Sequence, residues 1–199
     1  MKIIQDKAAL SKPCSTVSLE EGKKIGEKLV ELVKSNESNW VGLAANQIGI
    51  DARVCALALQ GNFKGEYKYF VNPKIINTSD ETFNFLEGCL SFPNERISTK
   101  RYETITVIAD NLAEGSSVVF YADPTKYELQ LECACMQHEI DHLDGITMFE
   151  RQLTNTVVKG PKISRNQKIV IVKDSDERIL KYKKAEKLLQ QGWTIKEIL

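Results

Sequence analysis

The sequence has few of the features that indicate a secreted or membrane-bound protein. No run of about eighteen apolar residues, the length needed to span a membrane, occurs in its 199 residues. The N-terminus lacks the apolar stretch of a signal peptide. The five cysteines are odd in number and show no disulfide spacing, so we expect free thiols, a cytoplasmic location and no membrane partner. Histidine is scarce, with only two in the chain.

The residues that are present are typical of one globular domain with an extension. Hydrophobic residues make up 42% of the chain and charged residues 27%. Residues 151–199 hold 12 Lys and Arg against 5 Asp and Glu, a net charge of +7, whereas residues 1–150 carry −7. We therefore predict a main domain over 1–150 and a basic extension over 151–199. Because the extension lacks a basic stripe interleaved with aromatics, we favour a solvated structural segment over an RNA-binding one and expect no specific DNA contact.

Hydrophobic spacing predicts a mixed α+β fold. Apolar residues recur at helical intervals over 18–35 and over 127–143. Apolar and alternating runs predict strands at 53–59, 67–72, 74–78, 103–110 and 117–123. Because strands and helices do not alternate regularly, antiparallel sheets are favoured over a doubly wound fold. In the extension, a β-hairpin is predicted from 167–172 and 177–182, followed by a short helix over 183–191.

Both histidines lie in the second predicted helix, in the stretch Gln137-His138-Glu139-Ile140-Asp141-His142. Residues four apart share one helix face, so both imidazoles can hold one divalent metal ion, with Glu139 close enough to act on a metal-bound water. Leu131, Ala134 and Cys135 lie earlier on that face, which predicts an apolar substrate side chain beside the reacting bond. The alternative is a solvated helix that carries the pattern by chance.

The third metal ligand has to come from elsewhere, and two cysteines are candidates. Residues 87–93 interrupt the predicted strands, and the flanking Gly88 and Pro93 indicate a loop that would expose the thiol of Cys89. Cys135, three residues before His138 on the same helix, is the rival. We favour Cys89 because a ligand from a distant segment completes a tetrahedron more easily than a neighbour on the helix. An ordinary buried cysteine is the non-functional interpretation.

The stretch from Trp40 to Ile50 combines small residues with a single glutamine. Gly42, Ala44 and Ala45 would allow close approach by a ligand or by another part of the backbone. Gln47 needs hydrogen-bond partners in such a setting, and a substrate oxygen could be one. Taken alone, the stretch is more simply interpreted as a tight packing corner.

Three stretches in order resemble the signature motifs of the peptide deformylase family. They are Gly42-Leu-Ala-Ala-Asn-Gln47, Glu87-Gly-Cys-Leu-Ser91 and Gln137-His-Glu-Ile-Asp-His142-Leu-Asp-Gly145. The resemblance covers residues 5–150 and implies an α+β fold, with antiparallel β-sheets packed around a central metal-binding α-helix. It implies a hydrolase that removes the formyl group from the N-terminal formyl-methionine of newly synthesised polypeptides and releases formate.

The resemblance also implies roles for individual residues. The metal ligands would be Cys89, His138 and His142. Glu139 would be the general acid/base for attack by a metal-bound water, and Gln47 and the backbone N–H of Leu90 would bind the formyl oxygen. The residues expected to contact the substrate are Val41, Gly42, Arg96, Leu131, Ala134 and Cys135.

The cofactor implied by the resemblance is one divalent metal ion per chain, with Fe(II) as the native ion. The ligand types would equally accept zinc, and nickel or cobalt could occupy the site in purified protein. The implied partners are N-formylmethionyl peptides, and the basic extension could contact the ribosome. The sequence departs from the family at Trp40, where a glycine is usual, and the indole could cap or narrow the pocket entrance.

Two other functions fit part of the pattern. A general zinc peptidase shares the two-histidine helix, but it normally takes a third ligand from a downstream Glu, Asp or His, and no histidine follows His142. A structural metal-binding module would close its site with a fourth protein ligand and would leave Glu139 and Gln47 without a role. One assay distinguishes the three functions. Formate release from formyl-Met-Ala-Ser indicates a deformylase, cleavage of internal peptide bonds indicates a zinc peptidase, and neither product indicates a structural module.

Overall fold

A computed structural model describes residues 3–36, 40–59, 61, 65–153, 168–173, 176–189 and 194–198. Its helices are α1 (Lys7–Leu10), α2 (Leu19–Lys34), α3 (Tyr127–Leu143) and α4 (Tyr182–Leu189). Its strands are β1 (Gly42–Ala44), β2 (Val54–Ala58), β3 (Tyr67–Val71), β4 (Lys74–Thr78), β5 (Thr82–Cys89), β6 (Phe92–Tyr102), β7 (Thr104–Ile108), β8 (Val118–Tyr121), β9 (Lys168–Lys173), β10 (Asp176–Lys181) and β11 (Thr194–Ile198). The chain divides into two compact units, residues 1–153 and 154–199.

The described residues of the first unit form three antiparallel sheets. Their strand orders are β1–β2–β3, β4–β7–β8 and the two-stranded β5–β6. A short 3-10 helix, Ala45–Ile48, follows β1 directly. The predicted α+β class with antiparallel sheets is confirmed.

The two long helices begin and end close to the predicted residues. Ser18 caps the N-terminus of α2, because its hydroxyl accepts a hydrogen bond from the backbone N–H of Glu21 at 3.2 Å. Helix α3 ends at Leu143, and Gly145 follows in the left-handed conformation, with a φ of +73°. Local capping and spacing were therefore enough to predict the helix that carries both histidines.

The prediction of a loop over residues 87–93 is wrong. Cys89 is the last residue of β5 and Phe92 the first of β6, so the turn between them holds only two residues. Along β5 the buried side chains alternate, and they include Glu87 and Cys89. Glu87 on β5 and Arg101 on β6 are charged residues on the buried face, which hides the apolar alternation expected of a strand. The short strand β1 was also not predicted.

Helix α3 lies at the centre of the first unit. Met136 of α3 packs in one hydrophobic cluster with Leu57 of β2 and Ile105 of β7. Leu29 of α2 belongs to a second cluster with Ala56, the neighbour of Leu57 on β2. Because successive side chains of a strand point to opposite faces, α3 and α2 cover opposite faces of the sheet β1–β2–β3. Complete burial of a leucine such as Leu57 contributes about 1.5–3 kcal/mol to stability.

The second unit contains the antiparallel sheet β10–β9–β11 and helix α4. The predicted hairpin is present as β9 and β10, with Asp176 opposite Lys173. Strand β11 was not predicted, and the end of the predicted helix beyond residue 189 lies outside the described residues. Among the described residues, no helix is long and apolar enough to cross a membrane.

Candidate metal centre

Two elements bring Cys89, His138 and His142 together. Cys89 ends β5, and both histidines lie on α3, with ring centroids 4.7 Å apart. The Sγ atom of Cys89 is 3.2 Å from Nε2 of His142, and one ligand atom from each of the three residues lies within 4.8 Å of the others. Cys135, the alternative ligand, instead places its sulfur 3.8 Å from Oε1 of Glu139. The structure therefore groups Cys89 with the histidines.

His138 is held in place by Glu87, a residue that the sequence analysis did not assign to the site. The Nδ1 atom of His138 lies 2.9 Å from Oε2 of Glu87, which leaves Nε2 for a metal ion. Glu87 also accepts hydrogen bonds from Thr99 at 2.6 Å and from Arg101 at 2.9 Å. Its position two residues before Cys89 would have indicated a shared strand face, had residues 82–89 been predicted as a strand.

The charges behind His138 form a network of two buried carboxylates, one buried guanidinium group and one exposed guanidinium group. Arg101, only 3% exposed, bridges Glu87 and Asp141, donating to Oδ2 of Asp141 at 2.5 Å. Arg151 donates to Oδ1 of Asp141 at 2.7 Å. Burial disfavours the charge on Glu87, but hydrogen bonds from Arg101 and His138 outweigh it and lower the pKa of Glu87 to about 2. The carboxylate that orients His138 is therefore ionised at neutral pH.

Glu139 is 3% exposed and has one unsatisfied oxygen. Its Oε2 atom is buried without a hydrogen-bond partner among the described residues. Burial raises the pKa of Glu139 to about 7, although the nearby His138 opposes this rise. A carboxyl group with such a pKa can take up and release a proton near neutral pH.

Gly42 brings strand β1 against α3 at Glu139. A Cβ atom at this position would lie 2.4 Å from Oε1 of Glu139 and 2.6 Å from Sγ of Cys135. A larger side chain at this position would have to displace the side chains of Glu139 and Cys135. The close approach puts the edge of β1 beside the carboxylate.

Gln47, in the 3-10 helix after β1, is fixed at both ends of its amide. Its Oε1 accepts a hydrogen bond from the backbone N–H of Ala44 at 2.9 Å. Its Nε2 lies 3.2 Å from Oγ of Ser91 and 3.5 Å from Sγ of Cys89. The amide N–H therefore faces the candidate metal ligands, and the small residues before Gln47 permit this approach.

A cavity of about 420 Å³ opens in front of the ligand group. Among the residues that line it are those assigned to the site from the sequence, namely Val41, Gly42, Gln47, Cys89, Leu90, Arg96, Leu131, Ala134, Cys135, His138 and Glu139. His142 is buried, at 1% exposure, and is not among them. The wall also includes Trp40, Phe85 and Tyr127, and the rings of Phe85 and Tyr127 stack at 5.9 Å. Phe85 and Tyr127 were not predicted from the sequence.

The donor set suits a divalent cation. One thiolate and two imidazoles are ligands that zinc and iron accept, and three protein ligands leave a position for water. Burial disfavours a charged His138, but its hydrogen bonds to Cys89 and Glu87 raise the pKa of His138 well above its usual value. Burial and the charge of His138 lower the pKa of His142. Because ligands bind in their deprotonated form, a cation at these three residues would displace the proton of His138.

The family model described as Polypeptide deformylase matches residues 1–157. The chain belongs to the peptide deformylase family. A peptide deformylase of Natranaerobius thermophilus is 39% identical over 115 residues, which are 58% of this chain and 67% of that protein. The peptide deformylase of Rhodopseudomonas palustris is 34% identical over 153 residues, covering 74% of this chain and 82% of that protein.

Solved structures agree with this membership. The crystal structure of the Thermotoga maritima peptide deformylase superposes with a TM-score of 0.61 at 29% identity, over 77% of this chain and 96% of that one. Peptide deformylases are metal-dependent hydrolases that remove the formyl group from the N-terminal methionine of nascent chains. The chain is an enzyme of this class.

Proposed function

We propose that deformylation takes place at Cys89, His138 and His142, which together hold one divalent metal ion. The observation that carries the proposal is the convergence of the three ligand atoms within 4.8 Å beside a cavity that Glu139 and Gln47 also line. Membership of the family favours Fe(II) as the native ion, and the thiolate ligand permits it. The same donors would accept zinc, nickel or cobalt.

Glu139 acts as the general acid/base. When bound, the metal ion supplies a Lewis acid that lowers the pKa of a coordinated water. Oε2 of Glu139, which has no partner among the described residues, accepts the proton as the water oxygen bonds to the formyl carbon. Glu139 then delivers that proton to the methionine nitrogen as the carbon–nitrogen bond breaks, and formate leaves. Its pKa of about 7 suits both transfers.

The formyl oxygen is stabilised by Gln47 and by the backbone N–H of Leu90. The amide of Gln47 is already oriented by the N–H of Ala44, so its Nε2 donor faces the reacting group without reorganisation. Leu90 lies at the turn between β5 and β6, directly after Cys89. Loss of one such donor typically costs about 3–4 kcal/mol in the transition state.

The peptide lies extended between strands β1 and β5. β1 is at the edge of its sheet, and the cavity is lined by Val41 and Gly42 and by Gly88 of β5. In this position the substrate adds a strand to the sheet, and its backbone forms hydrogen bonds with the open edge of β1. Its methionine side chain enters the apolar end of the cavity on α3, which is lined by Leu131, Ala134 and Cys135. Arg96, which packs against Gly88, lies at the rim.

We place the catalytic activity in residues 1–150 and the reaction in the cytoplasm, where nascent chains are made and free cysteines stay reduced. All five cysteines, at positions 14, 55, 89, 133 and 135, lie within the described residues and are free thiols. For the extension over 151–199, a structural role is our first proposal. Ribosome contact is the alternative, supported by its net charge of +7.

Formate release is the direct test. The protein, prepared anaerobically with Fe(II) or with Ni(II), is expected to release formate from formyl-Met-Ala-Ser and no acetate from acetyl-Met-Ala-Ser. Cleavage of internal peptide bonds instead would favour a zinc peptidase. The absence of both products from a metal-loaded protein would favour a structural metal-binding module and contradict the proposal.

A further inference from the structure

Asn46, the residue before Gln47 in the 3-10 helix, binds the backbone of the helix that carries both histidines. Its Nδ2 atom donates a hydrogen bond to the carbonyl oxygen of His142 at 2.7 Å. The two residues are 96 positions apart, so this contact joins the 3-10 helix to the C-terminal end of α3. The described residues that line the cavity include neither Asn46 nor His142, so the contact lies away from the substrate.

Each of these two residues also has a buried polar atom without a hydrogen-bond partner. Among the described residues, three buried side-chain nitrogen or oxygen atoms lack one: Oδ1 of Asn46, Nδ1 of His142 and Oε2 of Glu139. Glu139 lines the cavity, where the reacting water supplies a partner. The other two atoms belong to side chains of residues that are already in contact. Because buried polar groups in proteins are nearly always paired, two such atoms side by side indicate a common hydrogen-bond network.

The two atoms are complementary as donor and acceptor. Nε2 of His142 lies 3.2 Å from Sγ of Cys89 and is therefore the nitrogen that faces a metal ion. A neutral imidazole that binds metal through Nε2 carries its proton on Nδ1, so Nδ1 is a donor, whereas Oδ1 of an asparagine is an acceptor. Histidine ligands almost always donate this second N–H to a carboxylate, a carbonyl group or a water molecule. For His138, Glu87 takes that place.

We propose that Asn46 positions His142 for metal binding, with its Oδ1 atom linked to the Nδ1 proton of His142 through one buried water molecule. Such a water accepts from Nδ1–H and donates to Oδ1, which satisfies both atoms. Nδ2 of Asn46 then fixes the end of α3, and Oδ1 fixes the rotation of the imidazole. Asn46 serves His142 as Glu87 serves His138, but without adding a charge. This inference rests on the proposed function, in which a metal ion is bound by both histidines.

Two substitutions separate the two atoms of the Asn46 amide. Asn46→Leu is similar in size and removes both Nδ2 and Oδ1, whereas Asn46→Asp keeps Oδ1 and removes only the Nδ2 donor. In competition with a chelator, Asn46→Leu should bind Zn(II) about 10–100-fold more weakly than the unchanged protein, and Asn46→Asp at least as tightly as the unchanged protein. Asn77→Leu, at an exposed asparagine of β4, should keep the original affinity. Equal affinities in Asn46→Leu and Asn46→Asp would overturn the proposal.

A spectroscopic measurement reports on the proposed hydrogen bond itself. The chain contains two histidines, so nitrogen-15 labelling of histidine in the zinc-loaded protein should give two Nδ1–H signals. Glu87→Gln should shift the signal of His138, and Asn46→Leu only that of His142. If Asn46→Leu does not fold, the unchanged protein still decides, because a His142 Nδ1–H lost to exchange with water overturns the proposal.

The same zinc titration separates this inference from the proposed function. If the unchanged protein binds no zinc, the proposed metal centre fails and the role of Asn46 fails with it. If zinc binds equally to the unchanged protein and to Asn46→Leu, and the His142 signal does not move, only the role of Asn46 is refuted.

Discussion

The two halves of helix α3 contribute different surfaces to the candidate site. In the C-terminal half, His138 and Asp141 are bound through specific hydrogen bonds to Glu87 and Arg101, which come from the hairpin β5–β6. In the N-terminal half, Leu131 and Ala134 face the cavity and make no polar contact there. We therefore expect the C-terminal half to determine whether the reaction occurs. We expect the N-terminal half to determine which substrate side chain is accepted.

The largest expected effect comes from the C-terminal half, at Glu139. Glu139→Gln keeps the shape of the side chain but cannot accept a proton, so kcat/KM for formyl-Met-Ala-Ser should fall about 10³-fold. Metal content, measured by mass spectrometry, should be unchanged. Glu128→Gln, on the exposed first turn of the same helix, is the matched control and should keep full activity. Substantial turnover by Glu139→Gln would remove Glu139 from its proposed role.

The second variant, Arg101→Met on β6, removes the side chain that binds Asp141 in the C-terminal half of α3. The substitution leaves Glu87 and Asp141 buried with fewer cationic partners, so the free energy of unfolding should fall by about 3–5 kcal/mol in a urea titration. Lys24→Met removes an ion pair with Glu20 that is fully at the surface and should cost less than about 0.5 kcal/mol. A similar cost for both variants would show that the network is not a source of stability.

A smaller and more specific effect is expected from Glu87→Gln. The amide can still contact His138 but does not supply the negative charge that orients the ring and raises its basicity. Metal affinity, measured by competition with a chelator, should fall about 10–100-fold. Glu95→Gln, on the exposed part of β6, should leave metal affinity unchanged. An unchanged affinity in Glu87→Gln would mean that packing of α3 alone orients His138.

The N-terminal half should respond with the smallest change and only in substrate choice. Ala134→Leu extends into the cavity and should lower kcat/KM for formyl-Met-Ala-Ser about tenfold relative to formyl-Ala-Ala-Ser. Metal content should stay as in the unchanged protein. Ala113→Leu, in an exposed turn, should leave the ratio between the two substrates unaltered. Loss of metal from Ala134→Leu would contradict the division of α3 into two halves.

The parts of the site that depend on one local element could be predicted from the sequence. His138, Glu139 and His142 follow from helical spacing alone, because the period of an α-helix fixes which residues share a face. Gln47 and Leu90 could be assigned only through the resemblance of their motifs to a family. The structure places both beside the cavity that the ligand group faces.

The parts that depend on contacts between elements could not be predicted in this way. Glu87 and Arg101 lie on the buried faces of β5 and β6, where charged residues are tolerated only because they pair with each other and with Asp141. Neither strand has the apolar alternation that indicates a strand, and the hairpin was therefore missed. Phe85 also lies on β5, so its stacking on Tyr127 was missed for the same reason.

Gly42 sets the clearance between β1 and the side chains of Glu139 and Cys135, because a Cβ atom there would overlap both. Any larger residue would meet Glu139 and Cys135 before it met solvent. A change in substrate range that replaced Gly42 would therefore also displace the carboxylate that we propose transfers the proton. New specificity is confined to residues that line the cavity without setting this clearance, such as Ala134 and Trp40. The chemistry and the substrate range can then change independently.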